Sequence, residues 1–124
     1  MYRKILVGTD GSRTAAKAVE RSVEVARSSG AALTILSAGR PDKAGAAVEA
    51  AAAAHAGSGV TIDTLVVDAD AVAALVDTAR SGGYDLMVMG NRGMTGVSRF
   101  LRLGSVPNKV THQLPCSMLI VKTT

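Results

Sequence analysis

Glycines at regular spacing follow a short apolar run in the last third of the chain. The run Leu86–Met89 has the composition of a buried strand. The small residues that follow it in a pattern are Gly90, Gly93, Gly104 and Ser105. A small hydroxyl residue with proline two positions later is typical of a helix start, and Pro107 stands at that position. Glycines let backbone amides approach an anion, and a helix start directs its unpaired amides toward the same place. This stretch therefore predicts a phosphate-binding loop.

The charge of the same segment favours an anion. Arg92, Arg99 and Arg102 lie in it, and no acidic residue occurs from Gly90 to the last residue given. The chain as a whole carries a formal net charge of +4. Aromatic residues make up only 2%, which is too few for the stacking platforms of a single-strand nucleic-acid binder. The basic cluster therefore indicates a small phosphate-bearing molecule, and we expect no nucleic-acid partner.

Several common chemistries do not fit the residue pattern. The Gly90 loop matches neither the P-loop pattern G-x-x-x-x-G-K-[ST] nor the dinucleotide pattern G-x-G-x-x-G. Cys116 is the only cysteine, so no intrachain disulfide or multi-cysteine metal site is expected, and its apolar neighbours favour a packing thiol. His55 and His112 are expected at the surface. No nucleophile, base and carboxylate share a convincing spacing, which indicates a binding module rather than an enzyme.

Apolar runs alternate with helical periodicity along the 124 residues. Strands are expected at Lys4–Val7, Ala32–Leu36, Val60–Val67, Asp85–Met89 and Ser117–Lys122. Helices are expected from about Ala15 to Gly30, from Asp42 to His55 as an alanine-rich, loosely packed helix, from Val72 to Gly82-Gly83, and from about Ser105 to Gln113. This β-α alternation predicts a doubly wound, mainly parallel α/β sheet of five strands. Ligands of such sheets bind beyond the carboxyl ends of the strands, where the loops after the first and fourth strands meet.

The segments around these two loops resemble the universal stress protein family. The matching stretches are Ile5–Ser12, Leu86–Gly90, Gly104–Val110 and Pro115–Ser117. The family pattern G-x2-G-x9-G followed by Ser or Thr occurs here with one more residue in the long spacer. The resemblance covers residues 1–124 as one domain. It implies strand order 3-2-1-4-5, a Rossmann-like fold of the adenine nucleotide alpha hydrolase-like type, and a homodimer through the last strand, Met118–Val121. An open apolar edge also favours such pairing on physical grounds.

The glycine pattern is typical of the adenine-nucleotide-binding branch of that family, and the resemblance implies ATP as the ligand. It brings the following residues to the nucleotide: Gly8, Thr9, Asp10, Ser37, Ala38, Gly90, Arg92, Gly93, Gly104, Ser105 and Val106. Thr9 and Asp10 would meet the adenosine and the phosphates, with Mg²⁺ held at Asp10 through the phosphates. Ser37 or Ala38 would flank the adenine.

Alternatives stay open at this point. Cyclic AMP is the second ligand, because the segment after the second strand is short. The chain could also be a nucleotide-free dimeric interaction module of the same fold. Independently of that choice, Asp10 could be a turn residue that caps the first helix. A phosphoacceptor domain with Asp10 as the acceptor is disfavoured, because such a domain needs a lysine after the fifth strand and Lys122 is expected within or at the end of that strand. The sequence has neither a signal-peptide pattern nor an apolar run long enough to span a bilayer, so we expect a cytoplasmic protein without a membrane partner.

Overall fold

The computed structural model describes residues 1–91 and 106–123. Within these residues nine helices and strands alternate. The strands are β1 (Lys4–Gly8), β2 (Ala32–Ala38), β3 (Ile62–Val67), β4 (Leu86–Gly90) and β5 (Ser117–Val121). The helices are α1 (Arg13–Ser29), α2 (Pro41–Ala54), α3 (Ala71–Gly82) and α4 (Val106–Thr111). The expected order of elements is confirmed.

All strand pairs are parallel, and the sheet order is β3-β2-β1-β4-β5. The doubly wound five-stranded fold and its strand order are therefore confirmed. β1 is central: Ile5 pairs with Leu33 of β2 on one side and with Leu86 of β4 on the other. Because every residue of a parallel strand faces one helical layer or the other, the central strands are apolar and buried, apart from the exposed Lys4 at the start of β1 and the partly exposed Gly90 at the end of β4.

Each face of the sheet has its own core. α1 and α2 cover the face to which Ile5, Val7 and Ile35 point. α3 and α4 cover the opposite face, where Leu6 and Met87 lie. The two layers follow from the strand order. The connections through α1 and α2 step toward the β3 edge of the sheet, and those through α3 and α4 step toward the β5 edge. Right-handed crossovers that step in opposite directions place their helices on opposite faces.

Helix ends follow the local sequence. Ser12 caps α1 by accepting a hydrogen bond from the Ala15 amide at 3.2 Å, and Asp70 caps α3 through the amides of Val72 and Ala73. Gly30 and Gly83 end these two helices with φ of 69° and 70°, a left-handed conformation that favours glycine. Among the helices that the structure describes, none has the length and apolar character needed to cross a bilayer.

Some element ends differ from the sequence expectation. β2 continues to Ala38 because it stays paired with β3 through Ala38 and Val67. α2 begins at Pro41, whose fixed φ suits a first helical position, rather than at Asp42. β3 starts at Ile62 instead of Val60, because its pairing with β2 begins between Ile62 and Leu33. α4 ends at Thr111 rather than near Gln113, and β5 ends at Val121 rather than at Lys122. The expected helix start at Ser105 lies outside the described residues.

The amino ends of β1 and β4 are joined by one carboxylate. The two oxygens of Asp85 accept hydrogen bonds from the backbone amides of Arg3 at 2.9 Å and Lys4 at 3.1 Å. The Asp85 amide returns a bond to the Lys4 carbonyl at 2.9 Å. Burial of Asp85 by itself would raise its pKa, but the amides of Arg3 and Lys4 and the Arg3 charge stabilise the carboxylate, so the pKa of Asp85 is lowered overall.

We expect Asp85→Asn to lower the free energy of unfolding by about 1 kcal/mol at neutral pH, because one backbone amide would then face an NH₂ group. Since the folded-state pKa is lowered, the wild-type advantage is present above the unfolded pKa of about 4 and is lost as pH falls through the folded pKa. Urea unfolding at pH 7 and at pH 3 checks both statements. Asp77→Asn, at an exposed position of α3, is the control for charge alone. Equal losses in the two variants at pH 7 would contradict the assignment.

Candidate functional site: a crevice between the first and fourth strands

β1 and β4 part at their carboxyl ends. Their pairing stops at Val7 and Val88. Beyond that point β1 stays paired with β2 through Gly8 and Leu36, while β4 stays paired with β5 through Gly90 and Val121. The chain then turns to α1 on one face after β1 and toward α4 on the other after β4. This opening is the switch point of the strand order, where doubly wound sheets bind their ligands.

Residues 9–12, which follow β1 directly, form one side of the crevice, called the β1 wall below. They make a tight turn that is held by their own side chains. The Thr9 amide donates to the Leu36 carbonyl at 2.9 Å, and its hydroxyl accepts from the Gly11 amide at 3.1 Å. A carboxylate oxygen of Asp10 accepts from the Ser12 amide at 2.8 Å. Ser12 therefore caps α1, and the alternative in which Asp10 caps this helix is wrong. Asp10 supports the turn that leads into the helix instead.

The predicted residues of this wall and of β2 differ in their access to the crevice. Asp10 and Ala38 are partly exposed, whereas Thr9 and Ser37 are each only 2% exposed. Two more residues, Gly39 and Arg40, complete the connection from β2 to α2. The segment after the second strand is therefore short, as the sequence indicates.

Gly8 is a glycine for a packing reason. A Cβ built at Gly8 would lie 3.2 Å from a methyl group of Leu75 in α3, which is tighter than an ordinary contact. The close approach of α3 thus accounts for the absence of a side chain at this position, and it leaves the Gly8 backbone at the opening between β1 and β4. The role of Gly8 toward a ligand stays a prediction.

The β4 wall begins at Gly90, which is partly exposed, and continues to Asn91. The Asn91 amide donates to the Val121 carbonyl at 2.9 Å, so β4 and β5 stay together as far as this residue. The predicted residues Arg92, Gly93, Gly104 and Ser105 lie outside the described residues, as does the side chain of Val106. The structure therefore brings Thr9, Asp10 and Gly90 to one opening, and the phosphate loop itself stays a prediction.

A shallow groove adjoins the β1 wall between α1 and α2. It has a volume of about 150 Å³, and the residues that line it include Thr9, Gly11, Ser12, Val19, Ala47 and His55. Small alanine side chains of α2 line the groove on the side that faces α1. His55 is half-buried in this groove rather than fully at the surface. His112 is exposed.

Sequence reasoning missed three polar residues beside the crevice: Lys17, Asn91 and Thr123. Thr123 contacts each of the other two across a large separation in the chain. No local pattern marks such a contact, although the position of Asn91 inside the glycine pattern was a usable signal.

Cys116 packs partly buried against the α3 side of the core, and burial raises the pKa of its thiol, which agrees with a packing role. Within residues 1–91 and 106–123 no three potential metal ligands cluster.

Parallel strands in this order, with helices on both faces and a crevice at the reversal, define a Rossmann-like α/β protein. The model of the universal stress protein family matches residues 1–55 and 40–122. The chain therefore belongs to the universal stress protein family.

Relatives align over nearly the whole chain. The universal stress protein YxiE of Bacillus subtilis is 30% identical over 149 positions, covering 98% of this chain and all of that protein. The crystal structure of Rv1636 from Mycobacterium tuberculosis H37Rv is 34% identical with a TM-score of 0.69, covering 99% of this chain and 97% of the other. A universal stress protein crystallised in complex with cAMP is 35% identical with a TM-score of 0.85, covering 99% and 98%.

The turn of the β1 wall depends on Gly11. Its φ is 82°, and a Cβ there would lie 3.2 Å from the Ala47 Cβ. We expect Gly11→Ala to lower the free energy of unfolding by about 1–2 kcal/mol, because a left-handed conformation is costly for any residue with a Cβ. Urea unfolding measures the loss. The control is Gly57→Ala, where a Cβ meets nothing within 4 Å. An unchanged Gly11→Ala protein would contradict the assigned strain.

Proposed function

We propose that this protein binds an adenine nucleotide, ATP in the first place, in the crevice between β1 and β4. The parting of these two strands beyond Val7 and Val88 is the observation that carries the proposal. Membership of the universal stress protein family and the cAMP complex of a 35% identical member support an adenine nucleotide as the ligand class. The bound state acts as a switch in a stress-related interaction.

In this proposal the two walls hold different parts of the ligand. Thr9 and Asp10 lie toward the adenosine and the first phosphate, and Ser37 and Ala38 flank the adenine. The backbone at Gly90 and the segment with Arg92, Gly93, Gly104, Ser105 and Val106 receive the ribose and the phosphates. Because phosphates are held well by backbone amides at glycines and helix starts, the glycine pattern is the part of the sequence that most favours this assignment.

Magnesium fits the donor set of the β1 wall. Mg²⁺ is usually held by one or two carboxylates together with substrate phosphates rather than by a full protein cage. Asp10 offers a partly exposed carboxylate beside the proposed phosphate positions. We assign it as the protein ligand of a magnesium ion that arrives with ATP. No group in the crevice is assigned as a catalytic residue, so hydrolysis is at most slow.

Cyclic AMP is the second candidate ligand. The cAMP complex of the 35% identical family member favours it, and so does the connection of only Gly39 and Arg40 between β2 and α2. A short connection covers less of the space above β2, which suits a compact ligand with one phosphate. The choice between the two ligands depends on how many phosphates the loop receives.

Titration calorimetry with ATP and Mg²⁺, with cAMP and with GTP tests the proposal. We expect an adenine nucleotide to bind at least tenfold more tightly than GTP, and ATP to bind more tightly than cAMP. A preference for cAMP would replace the first ligand by the second. The absence of any adenine-nucleotide binding, together with no nucleotide in native mass spectra of the purified protein, would overturn the proposal and leave a nucleotide-free interaction module.

Gly104→Val tests the loop. We expect this variant to lose ATP binding, because the valine side chain would keep backbone amides away from the phosphates. Gly57→Val is the matched control, since a Cβ at Gly57 has open space around it. Calorimetry measures affinity, and light scattering checks that the oligomeric state is unchanged. Retained affinity in Gly104→Val would contradict the assigned role of the loop.

We further propose a homodimer through β5, in the cytoplasm, with neither nucleic acid nor a membrane as partner. β5 is a terminal strand of the sheet, and its residue Ile120 is 45% exposed. A parallel sheet that leaves an apolar edge strand open invites pairing with another chain. A second copy of the same strand would cover Ile120 and pair with the backbone N–H and C=O groups at the open edge of β5.

Ile120→Lys should shift the dimer toward monomer, because the interface would have to bury an unpaired ammonium group. Analytical ultracentrifugation over a concentration series measures the shift. Leu114→Lys is the matched control, since Leu114 is 47% exposed but lies before β5. A wild-type dimer constant in Ile120→Lys would rule out this strand as the interface.

A further inference from the structure

A polar bridge joins the end of β4, the segment after β5 and helix α1. The side-chain oxygen of Asn91 accepts a hydrogen bond from the Thr123 amide at 2.9 Å and one from the Thr123 hydroxyl at 3.0 Å. The Lys17 ammonium group donates to the Thr123 carbonyl at 3.1 Å. Thr123 is thus bound through its amide, its hydroxyl and its carbonyl, and it is only 2% exposed.

The bridge connects the two walls of the crevice. Asn91 follows Gly90 directly, where the chain leaves β4. Lys17 lies in the second turn of α1, the helix that begins at the Asp10–Ser12 turn of the β1 wall. Both walls are therefore attached to one buried residue, Thr123. Buried polar groups that are satisfied on every side fix a single geometry, because each alternative arrangement would leave a donor or acceptor without a partner.

We propose that Asn91 and Thr123 are positioning residues for the phosphate groups of the ligand, with Lys17 holding Thr123 in place. This inference rests on the proposed nucleotide binding. By fixing the Asn91 side chain, the bridge sets the direction in which the backbone leaves Gly90, and it is backbone at this wall that receives the phosphates. A wall ordered before binding loses less conformational entropy when the ligand arrives, so the bridge increases affinity.

The bridge acts on one part of the ligand only. Ser37 and Ala38, which flank the adenine in the proposed arrangement, belong to β2 on the far side of β1. None of the bridge contacts reaches β2. Loss of the bridge should consequently weaken binding of the phosphates and leave binding of the nucleoside almost unchanged. Loss of a residue that serves the fold alone would weaken binding of the phosphates and of the nucleoside to the same extent.

Thr123→Val removes the hydroxyl bond while it preserves the shape of the side chain, and Thr123→Ser keeps the hydroxyl. We expect Thr123→Val to bind ATP more weakly by a factor of up to about tenfold, because the free energy of the lost hydrogen bond sets the upper limit on the lost preorganisation, with adenosine affinity within about twofold of wild type. Thr123→Ser should bind both like wild type. Calorimetry with ATP and with adenosine provides the four affinities.

Lys17→Met gives a second test in an exposed position that does not endanger folding. Its control is Arg21→Met, one turn further along α1, which also removes one positive charge but only from an exposed ion pair. We expect faster amide hydrogen exchange at Thr123 and weaker ATP binding in Lys17→Met than in Arg21→Met. In the wild-type protein, ATP should slow exchange of the Thr123 amide, because linkage is reciprocal.

The outcomes separate the two proposals. If the wild-type protein binds no adenine nucleotide, the proposed function fails and this inference fails with it. If the wild-type protein binds ATP but Thr123→Val and Lys17→Met keep wild-type affinity, only the bridge is overturned. Equal weakening of ATP and adenosine in Thr123→Val would also overturn it, because a general loss of structure would then explain the effect.

Discussion

The parting of β1 and β4 is the constraint on which the rest of the structure depends. At their amino ends the two strands are held together by the Asp85 carboxylate. It accepts hydrogen bonds from the amide of Arg3, just before β1, and from the amide of Lys4, the first residue of β1. At their carboxyl ends no pairing continues beyond Val7 and Val88. A sheet that is closed at one end and open at the other can offer backbone groups to a ligand without losing the pairing that supports its core.

The two helical layers maintain this opening from opposite faces. Close packing of Leu75 in α3 against Gly8 brings the α3 layer to the end of β1, and α1 leaves the same strand toward the other face. Polar contacts are concentrated at the strand ends, where Thr9, Asn91 and Asp85 bind backbone groups of neighbouring strands. The interior is mainly apolar and sets the fold, whereas the polar contacts at the strand ends set the shape of the crevice.

The sequence was sufficient for the elements but not for their distant contacts. Local chemistry determined the helix ends at Gly30 and Gly83, and apolar runs determined the central strands, because both depend on neighbouring residues. The strand order came from the family resemblance, not from any local rule. The contacts of Asp85 with Arg3 and of Thr123 with Asn91 join residues 82 and 32 positions apart, and no pattern along the chain encodes such pairs. The expected sheet order places the carboxyl ends of β1 and β4, and with them Thr9, Asp10 and Gly90, at the same edge of the sheet. The role of these residues toward a ligand stays a prediction, and the contacts that hold the β4 wall in place were missed.

The position of β5 gives the edge of the sheet a direct connection to the crevice. β5 pairs with β4 as far as Gly90 and Val121, and two residues later Thr123 holds the Asn91 side chain. A shift of β5 along β4 would therefore break the backbone hydrogen bonds between these strands together with the contacts of Thr123 to Asn91. Because packed elements move between discrete arrangements rather than deforming continuously, a partner bound at the β5 edge and a ligand at the β4 wall would act on the same structural unit. Under the proposed function, that shared unit would be the route by which occupancy of the crevice reaches the surface at β5.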